Sequence, residues 1–180
     1  MTTHVAFFRA INVSGHHTVG MAALKELHAE LGLTNLATHL NTGNVIFDSP
    51  HPDPDALAAR IAAAFAATFG FPTAVMVRTA AELAALHAAH PFPHDPDRPP
   101  DRLAIMFVTA PPTPPSQQAL RDHYSGPEEL VFGPRDFYLY YPHGIGASKL
   151  TRAVLERHLQ VGVTGRNWNT LTKLVALSRS

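Results

Sequence analysis

The stretch Leu36 to Phe47, which reads LATHLNTGNVIF, decides the fold of the first half of the chain. Two runs suited to strands, Leu36 to Leu40 and Val45 to Phe47, flank the sequence Asn-Thr-Gly-Asn. Glycine and asparagine tolerate the positive φ angles that tight turns between antiparallel strands require. The stretch therefore predicts a β-hairpin.

Further strands and helices are predicted on each side of this hairpin. Before it, the mainly apolar residues 4–9 indicate a buried strand, and apolar side chains at helical spacing over residues 21–31 indicate a helix. After it, residues 57–69 carry one apolar helical face, residues 73–77 suit a strand and residues 80–87 a further helix. The first half thus has the order β-α-β-β-α-β.

Five prolines from Pro91 to Pro100 interrupt regular structure, so a boundary is expected between residues 89 and 101. The same order of elements then returns. The predicted strands cover residues 103–108, 130–132 and 137–141, and the predicted helices cover residues 116–123, 148–159 and 167–177.

These patterns predict an α+β protein made of two ferredoxin-like β-α-β-β-α units in series, packed together, with a C-terminal helix. The N-terminal half is expected over residues 1–90. The C-terminal half is expected over residues 101–180 and ends in a cationic helix. The repeat is one of architecture, since no sequence identity between the halves is visible.

The composition excludes several classes of site. The 180 residues are 46% apolar, which is ordinary for a globular protein. Because the chain has no cysteine, disulfides, thiolate nucleophiles and cysteine-ligated zinc are excluded. The start of the chain lacks a secretory pattern and no apolar stretch reaches the length of a membrane span, so a cytoplasmic protein without membrane contact is expected.

Charge is balanced overall, with 14 basic and 14 acidic residues, but it is unevenly placed. From Lys149 onward the chain has one acid, Glu156. The bases of that stretch are Lys149, Arg152, Arg157, Arg166, Lys173 and Arg179. This excess indicates either an anionic ligand or contact with the acidic middle of the chain, residues 82–136.

The segment from Thr164 to Leu174 carries the strongest candidate site. Read as a helix, it places Trp168 on the apolar face, and it places Arg166 and Lys173 together on another face. Arginine binds phosphate or carboxylate with two parallel hydrogen bonds, and the neighbouring amides could orient it. The alternative is a terminal helix whose tryptophan anchors the core and whose arginine meets an internal acid.

Three further groups of polar side chains lie at turns. The glycine-containing turn before Ser148 and Lys149 can direct backbone N–H groups at an anion, or it can be a strand-to-helix turn capped by Ser148. Arg9 and Asn12 follow the first strand, at the end of a sheet where ligands often bind, although an exposed strand end paired to an acid is the alternative. The role of Asn44 in the hairpin turn accounts for it well.

Histidines and tyrosines suggest two other kinds of site. His87, His90 and His94 have a helical spacing that suits a metal, but the intervening prolines break that helix, so no metal site is expected. Tyr138 and Tyr140 share one face of a predicted strand, where they could stack nucleic-acid bases. The alternative is that both are half-buried sheet residues.

Four motifs resemble those of the bacterial family catalogued as domain of unknown function 1697. They read Arg9-Ala-Ile-Asn-Val-Ser-Gly15, Thr42-Gly-Asn44, Ser148-Lys-Leu150 and Thr164-Gly-Arg-Asn-Trp-Asn-Thr170. The resemblance spans essentially the whole chain and implies a ferredoxin-like α+β fold, with no established activity. Ala10 and Ser14 stand where the family has glycines, which disfavours a very close approach of a ligand to that loop.

We therefore expect a protein that binds an anionic, phosphate-bearing small molecule or nucleotide in a cleft between the two halves. The residues expected to bind it are Arg9, Asn12, Asn44, Ser148, Lys149, Arg166, Asn167, Asn169 and Lys173. Three alternatives stay open: nucleic-acid binding through the basic C-terminal segment, an enzyme acting on a phosphorylated or carboxylated substrate, and motifs that are purely structural. The sequence specifies no catalytic residue and no cofactor.

Overall fold

The structure, a computed structural model, describes residues 1–92 and 95–179. The chain divides into two compact units. The first comprises Met1–Ala88 and Lys173–Ser180, and the second comprises Ala89–Thr172. Each unit carries a four-stranded antiparallel sheet, and in each the chain forms a strand, a helix, a hairpin, a helix and a strand in that order. The predicted α+β class and its two repeated β-α-β-β-α units are therefore confirmed.

The first unit builds a sheet with the strand order β2-β3-β1-β4, and all neighbouring strands are antiparallel. Its elements are β1 (Thr2–Phe8), α1 (Met21–Glu30), β2 (Thr34–Thr38), β3 (Asn44–Ser49), α2 (Pro54–Phe69), β4 (Val75–Thr79) and α3 (Ala80–Ala88). Alternate residues of the central strands, among them Ala6, Phe8 and Phe47, pack in one core with Leu24 of α1 and Ile61 of α2.

Local sequence accounts for the boundaries of α2. The Asp53 carboxylate accepts a hydrogen bond from the Asp55 amide at 2.9 Å and so caps the first turn. Gly70, with φ 77°, ends the helix in the left-handed region that glycine adopts without strain. At 16 residues α2 is shorter than the roughly 20 residues that span a bilayer. Within residues 1–92 and 95–179, no helix is both long and apolar enough to cross one.

The second unit repeats this plan with the strand order β6-β7-β5-β8. Its elements begin with a 3-10 turn (Pro100–Arg102) and continue with β5 (Leu103–Val108), α4 (Pro114–His123), β6 (Glu129–Phe132), β7 (Phe137–Tyr140), a second 3-10 turn (Ile145–Ala147), α5 (Arg152–Leu159) and β8 (Val163–Asn167). The last helix, α6, covers Trp168–Leu177. Leu120 of α4 and Leu155 of α5 pack with Met106 and Leu139 of the sheet in the core of this unit.

The last strand, β8, corrects the sequence prediction for the segment that begins at Thr164. That segment was predicted to be helical, whereas residues up to Asn167 pair with β5 and only Trp168 starts α6. Arg166 therefore lies in a strand, so it cannot share a helical face with Lys173. The strand is only five residues long and contains Gly165 and Asn167, which are both poor strand formers.

The helix predicted to begin at Ser148 is also shorter than expected. Ser148 instead ends a 3-10 turn, and α5 begins at Arg152. Thr151 provides the cap, because its hydroxyl accepts a hydrogen bond from the Val154 amide at 3.3 Å. The predicted capping role of Ser148 is therefore wrong, and its hydroxyl instead donates to Glu128.

One core residue of the first unit, His28 in α1, titrates abnormally. Its side chain is fully buried, and its ring lies against those of Phe8 and Phe47. Nδ1 lies 2.7 Å from the Leu24 carbonyl oxygen, while Nε2 is buried and has no hydrogen-bond partner among the described residues. Burial lowers the pKa of His28 to about 4, since the core cannot solvate an imidazolium.

Because protonation favours the unfolded chain, His28 should make the protein less stable in acid. Its contribution to stability is complete above the ordinary histidine pKa of about 6.5 and is lost as the pH falls toward 4. Urea unfolding followed by circular dichroism at pH 7.5 and 4.5 should show a stability loss that His28→Leu reduces by about 2–3 kcal/mol. The exposed His16→Leu is the control, and an equal reduction in both variants would contradict the assignment.

Candidate functional site

Arg9 and Asn12 lie in the loop that follows β1. The Arg9 amide donates to the Ala74 carbonyl at 3.0 Å, and the Arg9 carbonyl accepts from the Thr73 hydroxyl at 2.6 Å. These bonds extend the pairing of β1 with the segment before β4. The side chain of Arg9 is half-buried.

Asn12 uses its whole amide group inside the protein. Nδ2 donates to the carbonyls of Val19 (2.9 Å) and Asn41 (2.7 Å), and Oδ1 accepts from the Val19 amide at 2.7 Å. Its φ of 54° is one that asparagine tolerates better than most residues. Asn12 thus ties both ends of its own loop together and ties the loop to the hairpin.

Asn44 is fully buried where the hairpin returns into β3. Its Nδ2 donates to the His39 carbonyl at 2.8 Å and to the Thr42 hydroxyl at 3.1 Å. The turn is tightly packed, because a Cβ on Gly43 would lie 2.7 Å from Cδ1 of Ile11. The predicted hairpin role of Asn44 therefore has a clear structural basis.

Burial lowers the pKa of His39, with the charge of the exposed Lys173 as a further cause.

In the second unit, Ser148 belongs to a hydrogen-bonded cluster rather than to a helix cap. Its hydroxyl donates to Oε1 of Glu128 at 2.5 Å, and Oε2 of Glu128 accepts from the Tyr124 hydroxyl. Burial would raise the pKa of Glu128, but these two donors, together with a backbone hydrogen bond and the charge of His143, lower it. Ser148 thereby joins the loop after β7 to the loop before β6, while Lys149 is exposed.

Arg166 is buried in β8, where 8% of its surface is exposed. Its Nη1 donates to the Thr164 hydroxyl at 2.9 Å and to the Gly165 carbonyl at 2.8 Å, and burial lowers its pKa to about 10. Arg78 of β4 occupies the equivalent place, since each arginine is the fourth residue of its strand and donates to the preceding carbonyl. Both units therefore bury an arginine at the same position.

Asn167 and Asn169 have different surroundings on either side of Trp168. Oδ1 of Asn167 accepts from the Thr170 amide at 2.9 Å, so Asn167 caps α6. The side chain of Asn169 is exposed. Trp168 was predicted to anchor the core, but it is only half-buried and lines a cavity.

That cavity, of about 610 Å³, lies within the second unit and was missed by the sequence analysis. It is lined by His90, Phe92, Asp95, Pro96, Arg98, Pro99, Pro100, Leu103, Tyr140 and Trp168. Strand pairing explains why separate segments meet there. Leu103 of β5 lies opposite Tyr140 of β7, and the next residue of β5, Ala104, lies opposite Asn167 of β8. The proline-rich segment supplies the remaining wall.

Aromatic side chains shape the cavity. The ring of His90 meets that of Trp168 edge-on at 4.5 Å between centroids. The guanidinium carbon of Arg98 lies 5.3 Å from the Phe92 ring centroid and 5.1 Å from that of Tyr140. Such distances suit cation–π contacts. The cavity thus combines flat apolar surfaces with the charged side chains of Asp95 and Arg98.

The proline-rich stretch from Pro91 to Pro100 carries a sequence signal for this site as well as for a boundary. Between Pro91 and Pro100 the prolines stiffen the chain, while Phe92 and Arg98 add an aromatic ring and a charge. Tyr140, assigned to a possible base-stacking surface, has only 6% of its surface exposed, and Tyr138 has 4%. Neither tyrosine presents an open face for stacking nucleic acid.

The histidines considered for a metal site do not share one helix. His87 lies in α3, which ends at Ala88, and His90 lies beyond that end. His94 lies outside the described residues. Among the residues that the structure does describe, no group of three or more His, Asp or Glu side chains is placed to hold a metal ion.

Comparisons with known proteins relate the chain to a protein family and to a solved structure. The family model described as "Protein of unknown function (DUF1697)" matches residues 1–138. The fold is similar to that of SP0830, a conserved bacterial protein from Streptococcus pneumoniae, with a TM-score of 0.71, 22% identity and 98% of each chain covered. No curated protein matches the chain. At this identity the structural similarity supports the fold alone.

The bonds of Asn12 predict that it stabilises the first unit. Asn12→Asp removes both donors and places a carboxylate against the carbonyls of Val19 and Asn41, so the free energy of unfolding should fall by about 1–3 kcal/mol. Asn41→Asp is the matched control, because Asn41 contributes only its backbone carbonyl to this contact. Equal stabilities of the two variants in urea unfolding would show that the Asn12 amide is not needed for stability.

Proposed function

Because the chain belongs to the DUF1697 family of proteins of unknown function, its own geometry has to suggest the activity, and we propose that it binds an anionic small molecule. A nucleotide is the simplest example, with its planar ring in the aromatic cavity of the second unit. The observation that carries this proposal is the cavity itself, whose rings and charged edge come from three separate segments of the chain.

The size and lining of the cavity suit a planar ring. Its volume of about 610 Å³ falls within the roughly 300–1,000 Å³ that is usual for small-molecule sites. Four aromatic side chains and three prolines line it, and the half-buried rings of His90 and Trp168 suit stacking on a heteroaromatic ring. Stacking alone tolerates many rings, so a further group must provide selectivity.

Positive charge near the cavity favours an anionic group on that ligand. Trp168 lines the cavity and is also the first residue of α6, so the positive end of this ten-residue helix lies at the cavity. The first turn of α6 carries no acid. Arg98 adds to the lining a guanidinium, which matches phosphate or carboxylate, beside the carboxylate of Asp95.

The lining supports binding more directly than catalysis. Oδ2 of Asp95 lies 3.8 Å from Nε of Arg98, and Nδ1 of His90 accepts a hydrogen bond from the Phe92 amide at 3.1 Å. Neither side chain is thereby paired with a nucleophile among the described lining residues. The enzyme alternative consequently has less support than a binding function.

Some of the polar residues predicted from the sequence adjoin the cavity residue Trp168 along the chain. Arg166 and Asn167 immediately precede Trp168, and Asn169 follows it. A direct role for these residues, and for Ser148 and Lys149, stays a prediction, as it does for Arg9, Asn12, Asn44 and Lys173.

Strand orders of the type β4-β1-β3-β2 in both units also lead us to assign the fold to the ferredoxin-like class.

Trp168 provides a direct test, because it is the single tryptophan of the chain. Titration with a panel of nucleotides should quench or shift its fluorescence, and isothermal titration calorimetry should give the same affinity. Trp168→Leu should weaken nucleotide binding by about tenfold or more in calorimetry, because a base–aromatic stack contributes roughly 1–3 kcal/mol. Trp168→Phe should retain most of the affinity.

Phe132→Leu is the matched control, since Phe132 is an aromatic residue of the same unit that does not line the cavity. It should leave the affinity unchanged. The proposal is wrong if no nucleotide in the panel changes the fluorescence or produces heat. It is also wrong if Trp168→Leu and Phe132→Leu bind equally well.

A further inference from the structure

Arg98 carries the one guanidinium among the described residues that line the cavity. Its guanidinium covers the rings of Phe92 and Tyr140, and 31% of its side chain is exposed. These two contacts hold the guanidinium beside rings that line the cavity, while its partial exposure leaves it accessible to water. Arg98 therefore has the position that an anion-binding residue would need.

Glu129 already occupies the donors of this guanidinium. Nη1 of Arg98 donates to Oε2 of Glu129 at 2.5 Å, and Nη2 donates to Oε1 at 3.2 Å, which is a two-point carboxylate contact. The contact follows from strand pairing, because Glu129 of β6 lies opposite Tyr140 of β7. Glu129 does not line the cavity itself. The guanidinium thus reaches from the cavity to a carboxylate just outside it.

We propose that Arg98 is the anion-binding residue of the cavity and that Glu129 holds the position that a ligand's carboxylate or phosphate takes when it binds. The inference rests on the proposed function and deepens it, because it assigns the residue that selects an anionic ligand over a neutral one. Glu129 then competes with the ligand for the Arg98 guanidinium, and this competition lowers the affinity of the ligand.

The exposure of this ion pair makes the exchange feasible. The side chain of Glu129 is 45% exposed and that of Arg98 is 31% exposed, so water screens their attraction. A ligand whose ring stacks in the cavity brings its anionic group to Arg98 at high local concentration. Phosphate carries more charge than a carboxylate and offers the same two-point geometry. Such a ligand can therefore displace Glu129.

Asp95 contributes a second negative charge to the same guanidinium. Its Oδ2 lies 3.8 Å from Nε of Arg98, and its side chain is 42% exposed. This contact is longer than the pair of bonds to Glu129 and involves a different edge of the guanidinium. Asp95 can consequently keep Arg98 oriented while the Glu129 edge changes partner.

The test measures binding of AMP, adenosine and inorganic phosphate by calorimetry to the full chain and its variants. If another nucleotide binds best in the panel, that nucleotide and its nucleoside replace AMP and adenosine. Glu129→Gln removes the competing charge, so AMP affinity should rise about twofold to fivefold while adenosine affinity is unchanged. Arg98→Gln should lower AMP affinity by about tenfold or more and also leave adenosine unchanged.

Two further variants separate charge from packing. In the Arg98→Gln background, Glu129→Gln should have no effect on the affinity for AMP, because the competition needs the guanidinium. Arg98→Lys keeps the charge without the two-point geometry and should give an intermediate affinity. Arg121→Gln is the matched control, since Arg121 also covers a ring, that of Phe132, but lies outside the cavity lining. Circular dichroism checks that each variant is folded.

Distinct results would overturn the inference and the proposed function. If AMP binding depends on Trp168 but Glu129→Gln leaves it unchanged or weakens it, Glu129 does not compete and the inference fails alone. Equal losses of AMP and adenosine in Arg98→Gln would likewise show that Arg98 acts by packing. If the wild-type chain binds no nucleotide, the proposed function and this inference fail together.

Discussion

The pairing of β5 with strands on both of its sides is the constraint on which the second unit depends. Leu103 is set opposite Tyr140 on one side, and Ala104 is set opposite Asn167 on the other. Because Asn167 is both the last residue of β8 and the cap of α6, this register also fixes where Trp168 lies. A one-residue slip would turn alternate side chains to the other face and remove the cavity wall.

Much of the fold could be predicted because its signals are local. The hairpin before Asn44 and the helix between Asp53 and Gly70 depend on turn and cap residues that adjoin in sequence. β8 could not be predicted in this way. Its five residues carry a weak strand signal, and the pairing that stabilises it comes from β5, more than 50 residues earlier in the chain.

The candidate site was harder to predict than the fold, for a related physical reason. Asn12 and Ser148 looked like ligand-binding residues because polar side chains at turns are common to both binding and structure. In the structure the Asn12 side chain forms hydrogen bonds with two backbone carbonyls and one backbone amide, and the Ser148 hydroxyl donates to Glu128. The cavity, by contrast, combines Phe92, Tyr140 and Trp168, whose apolar character indicated core or boundary when each was considered in its own segment. The strand register brings Tyr140 and Trp168 together, and the proline-rich segment adds Phe92.

The two buried arginines explain why an anion site is better sought at the rim than in the strands. Arg78 and Arg166 occupy the same position in β4 and β8, and each donates to the carbonyl of the residue before it. A feature repeated in both units follows from the shared architecture, whereas the aromatic cavity lies in the second unit. Reaching a buried guanidinium would also require a ligand's anion to lose its hydration. The partly exposed Arg98 can exchange Glu129 for a ligand while both groups stay hydrated, so the cost of binding there is lower.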